Sequence, residues 1–68
     1  MSSFIDRLVN EEKELSYKIY NLALFLRGPD FKTLSEVHRN LLLRQHSLMV
    51  KYQEVLMTRI HILRLEGK

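Results

Sequence analysis

This chain has one place to bend. Gly28-Pro29-Asp30 is the single breaker cluster in 68 residues, and the other glycine is Gly67. Glycine suits the left-handed position after a helix, and proline cannot continue one. A multi-hairpin β fold needs many turn residues, so the sequence excludes it. Before the cluster, apolar residues recur at Ile5, Leu8, Leu15, Ile19, Leu22 and Leu26, in alternating steps of three and four. Glu12 is the polar member of that series. This spacing predicts a helix over about 3–27, capped by Ser3 and with Asp6 in the first turn, where the helix dipole favours an anion. In the turn, 28–33, Phe31 is expected to fold back as a plug. Thr33-Leu34-Ser35-Glu36 then fits a capping box. Apolar residues follow at Leu34, Leu41, Leu48, Val55 and Ile62, with a neighbouring row of Leu42, Met49, Leu56 and Leu63. They predict a second helix over about 34–65. A short connection makes such helices antiparallel. The fold class is all-α, a two-helix hairpin forming a single domain over 1–68.

Such a small fold has little to hold it. A domain of this size buries only about 60% of the surface its unfolded chain exposes. There is no cysteine, so neither a disulfide nor a Cys-rich zinc site can help. The hydrophobic share of 46% against 28% charged marks a folding chain rather than a disordered one. More of that apolar material is present than one seam can bury. Tyr17, Tyr20 and Leu24 stand away from the first helix's stripe. Leu43, Val50, Met57 and Ile60 form a further face on the second. Burying one such side chain is worth about 1.5–3 kcal/mol. The expected remedy is self-association of hairpins through these faces, in a closed symmetric oligomer.

Charge is uneven. Residues 1–27 hold four basic and four acidic side chains; residues 28–68 hold seven and four, and so carry the whole net charge of +3. The second half therefore favours an anionic partner, though a dedicated duplex-DNA binder shows a denser basic stripe. No apolar run approaches the ~20 residues that span a bilayer, so no membrane partner is expected. The start Met1-Ser2-Ser3-Phe4-Ile5-Asp6 has no basic n-region or apolar h-region, so no secretory signal is expected and the location is cytoplasmic. His38, His46 and His61 are not spaced three or four apart, and no metal site is expected. Glycine-rich phosphate loops and a nucleophile elbow are missing, so neither an enzyme nor a bound cofactor is expected.

The informative positions are polar ones among leucines. His38, Gln45, Tyr52 and Arg59 form a row spaced seven apart, with Arg44 and Lys51 beside it. One reading is structural: polar residues at seam positions fix register and oligomer state, with Glu12 accepting a hydrogen bond from Tyr52 or pairing with Arg59. The other is a ligand groove at a subunit junction. There Tyr52 stacks on a base, Arg59, Lys51 and Arg44 hold phosphates, and Gln45 reads a base edge.

The residues Arg7-Leu8, Glu11-Glu12, Glu14-Leu15, Lys18-Ile19, Leu22 and Phe25-Leu26, with Leu41-Leu42, Gln45, Met49, Tyr52, Val55-Leu56 and Arg59-Ile60, resemble a family of small helical-hairpin proteins of tailed phages, including crAss-like phages. The second helix, with Arg39, Leu41 and Leu43 followed by Tyr52 and Arg59, is similar to the hairpin of the phage anti-CBASS and anti-Thoeris sponge proteins. That resemblance implies a non-enzymatic homo-oligomer in the host bacterial cytoplasm that sequesters a cyclic di- or trinucleotide immune signal. Two alternatives stay open: a protein–protein inhibitor or adaptor that docks on a host defence component, and a small nucleic-acid-binding accessory protein.

Overall fold

The computed structural model describes residues 3–67, with the side chain of Ser3 outside the described ones, so the cap expected there lies outside them too. Three helices follow one another: α1 over Ser3–Arg27, α2 over Pro29–Lys32 and α3 over Glu36–Glu66. Helices α1 and α3 run antiparallel, side by side, in a rod of 50 × 16 × 14 Å.

Its bend is built differently from the sequence expectation. Gly28 is extended (φ −87°, ψ 171°) and serves as the N-cap of α2; among the described residues no glycine has positive φ. Pro29 starts α2, where its missing N–H costs nothing. Thr33 closes that single turn: its Oγ1 donates to the Asp30 carbonyl at 2.7 Å and its N–H to the same oxygen at 3.1 Å. Thr33 is thus not the cap of the long helix. Ser35 is, its Oγ accepting from the His38 N–H at 3.2 Å. Helix α3 accordingly starts two residues later than 34. The Arg39 guanidinium donates to the Leu34 carbonyl and ties the connection down. Phe31 folds back on the end of α1, its ring edge-on to Phe25 at 6.4 Å.

Leu8, Leu15, Leu56 and Ile60 are the buried core, with Val9, Ile19, Met49 and Leu63 packed against them. On α1 the inward stripe is the expected one. On α3 it is not. One inward row is Leu42, Met49, Leu56 and Leu63; the second is His46, Gln53 and Ile60, which are buried or half-buried. The row Leu41, Leu48, Val55 and Ile62, whose spacing suits a seam equally well, is 45–57% exposed. At about 100° per residue that row lies roughly a third of a turn round the helix from the seam, and α1 covers only one of the two. Ile60, expected on an outward face, is 8% exposed in the core, and Val50, expected on the same face, is half-buried.

Candidate functional site: the outer face of helix α3

Helix α3 carries two heptad stripes. The inner one meets α1. The outer one runs Leu41, Gln45, Leu48, Tyr52, Val55, Arg59 and Ile62, again in steps of four and three. Leu41, Leu48, Tyr52, Val55 and Ile62 are 57, 56, 46, 54 and 45% exposed, a continuous apolar strip on the outside of a small protein. Arg44 and Lys51 border it on the side away from α1.

The strip holds three adjoining open depressions. Leu41, Arg44, Gln45, Leu48, Met49 and Tyr52 line the first. Lys51, Glu54, Val55, Thr58 and Arg59 line the second. The third lies between Phe4 of α1 and Arg59, Ile62 and Leu63. Of the five residues singled out from sequence, Arg44, Gln45 and Tyr52 come together in the first and Lys51 and Arg59 in the second. All five are exposed. The Gln45 amide Nε2 donates weakly to the Met49 sulfur at 3.8 Å. Phe4 escaped the sequence reading as a site residue. The signal was available in the outer stripe, whose last members, Arg59 and Ile62, stand opposite the start of α1.

Glu12 does not touch this face. Its Oε2 accepts from the Ser16 hydroxyl at 2.7 Å and from the Gln53 amide at 3.1 Å, and Gln53 Nε2 also donates to Ser16 Oγ. The partner on α3 is therefore Gln53, not Tyr52 or Arg59. Those two stand on the outer stripe, where nothing in the hairpin core competes for them. Among the described side chains no buried nitrogen or oxygen lacks a hydrogen-bond partner. No group of three or more metal-ligating side chains stands together among the described residues. None of the described helices is long and apolar enough to cross a membrane.

On the opposite side, Leu43 and Met57 of α3 are 50% and 53% exposed. Tyr17, Tyr20 and Leu24 of α1 are 68, 60 and 45% exposed. With the outer stripe of α3, the hairpin has apolar surface on more than one flank.

The arrangement is that of a helical hairpin offering a basic, aromatic-bearing strip. The chain matches the family model Sequestin over residues 2–62 and belongs to that family. No curated protein and no solved structure matches it.

Proposed function

We propose that this protein works by sequestration: it holds a cyclic oligonucleotide immune signal, without cleaving it, at junctions between copies of the hairpin in a bacterial host's cytoplasm. The family's name speaks of sequestering, and a holding protein needs affinity without a reactive group. The observation that carries the choice of ligand is the outer strip of α3. It combines a half-exposed tyrosine ring with Arg44, Lys51 and Arg59 over an apolar floor. Stacking a base on an aromatic ring is worth ~1–3 kcal/mol. Guanidinium and ammonium groups suit phosphate oxygens. The depressions are open, so a ligand gripped on both faces needs a second wall. A neighbouring hairpin supplies one and covers Leu41, Leu48, Val55 and Ile62 at the same time.

Titration calorimetry against a panel of cyclic di- and trinucleotides tests the reading. Heat with at least one member, lost in Tyr52→Ala and in Arg59→Ala while circular dichroism stays helical, is the expected result. No heat with any member at tens of micromolar removes it. If both variants unfold, those residues serve the fold instead.

A protein partner is the second reading, and Tyr17, Tyr20 and Leu24 favour it. They form an exposed aromatic patch on α1, away from the basic strip. Such a patch suits docking on a host defence protein. Tyr17→Ala with Tyr20→Ala then abolishes capture of that protein and leaves nucleotide binding intact.

A further inference from the structure

The hydrophobic pattern of this hairpin does not by itself choose how far α3 slides along α1. On α1 the inward rows are Ile5, Glu12, Ile19 and Leu26, and Leu8, Leu15 and Leu22; on α3 they are Leu42, Met49, Leu56 and Leu63, and His46, Gln53 and Ile60. Every row repeats each seven residues. Sliding one helix by a heptad, about 10 Å at 1.5 Å per residue, brings mostly apolar side chains back against apolar side chains. Helix α1 breaks its pattern once, with Glu12, and α3 breaks it with His46 and Gln53; of these, Glu12 and Gln53 meet. The Glu12 carboxylate takes hydrogen bonds from Gln53 (3.1 Å) and Ser16 (2.7 Å), and Gln53 bonds to both.

The geometry points to Glu12, Ser16 and Gln53 as the device that sets the register of the hairpin. A slip one way puts Ile60 opposite Glu12 and leaves a half-buried carboxylate without its amide donor. A slip the other way offers His46, and carries the start of α3 away from the connection that Arg39 and Thr33 tie down. An unpaired buried polar group is costly where a satisfied one is nearly neutral, so a single polar cluster discriminates among apolar-equivalent alignments. The register matters because the third depression is assembled across the two helices. Phe4 meets Arg59, Ile62 and Leu63 only when α1 and α3 stand as they do. The cluster is thus a positioning element for the outer strip. That consequence rests on the proposed function; the register itself does not.

The native chain has no cysteine, so Asn10→Cys and Ser47→Cys give two clean spin-label sites on exposed positions of α1 and α3. Pulsed dipolar spectroscopy, with the labelled chain diluted into unlabelled protein, reads the distance between them without any ligand. In the native background a single narrow distance is expected. In Glu12→Leu/Ser16→Ala/Gln53→Leu, which turns the cluster apolar, the chain remains helical, melts no lower, and shows a second distance displaced by the slip. Restoring Glu12 and Gln53 together, with Ser16→Ala kept, returns the single native distance, because the carboxylate regains its amide donor in that register alone. The proposal is overturned if the triple variant keeps one unchanged distance, or if it fails to fold. Either outcome leaves nucleotide binding by the native chain untouched, so the two readings fail separately.

Discussion

Leu56 shows where the stability of a small hairpin is concentrated. It is 0% exposed, the largest side chain so completely enclosed among those described. Truncating a buried leucine to alanine typically costs about 2–5 kcal/mol, a large fraction of what a domain of this size possesses. Leu56→Ala is therefore expected to lower the urea midpoint sharply, by the same amount at every protein concentration. Leu48 is chemically identical and one helical face away, 56% exposed. Leu48→Ala should change the fold of a lone hairpin by no more than about 0.5 kcal/mol, and should lower the melting temperature only at concentrations where copies associate. A concentration-independent loss at Leu48 equal to that at Leu56 would mean that the two stripes have been assigned the wrong way round.

The elements explain how much could be read before the structure. Two long helices and one bend were legible, because Gly28-Pro29 interrupts an otherwise unbroken apolar periodicity. The inward stripe of α1 was legible too, since its apolar members make one row pair. Helix α3 was harder for a physical reason. It carries three apolar rows, and periodicity says that a row shares a face without saying which face meets α1. The polar neighbours held the answer. Glu12 needs a donor, and Gln53, inside the Met49–Leu56–Ile60 stripe, supplies one, whereas Tyr52 was the more conspicuous residue. Tyr52, Arg59, Lys51, Arg44 and Gln45 do share one side of α3, but that follows from their spacing alone. The bend was misjudged in detail, because Thr33 and Ser35 are both competent caps and only the one-turn helix α2 decides between them. Two tests follow at this scale. Ser35→Ala should cost about 1 kcal/mol, the usual loss of a cap, whereas Thr33→Ala should weaken α2 rather than the start of α3. Gly28→Ala should be tolerated or slightly stabilising, up to about 1 kcal/mol, since its φ is negative and an added Cβ meets the Leu24 and Phe25 carbonyls at an ordinary 3.5 Å. Thermal melts of the three variants check these signs, and a strongly destabilised Gly28→Ala would contradict the extended backbone described for the bend.

The whole molecule is a thin rod with more greasy surface than a solitary chain of this size comfortably shows. Its exposed large apolar side chains include five on the outer strip of α3 and three on the outside of α1. Light scattering across a dilution series is expected to give a multiple of the single-chain mass at micromolar concentration; a single-chain mass there would remove the junctions on which the proposed ligand site depends. Three cations along the strip bring like charges together when strips face each other, so sulfate or phosphate at tens of millimolar should favour the assembled form. The two stripes of α3 also divide labour. Residues that hold the rod together point one way, and residues that meet the outside world point another, on the same length of backbone. Substitutions at positions 44, 45, 51, 52 and 59 can therefore change what the outer face meets while the packed seam beneath stays intact, because no side chain of that set belongs to the buried core.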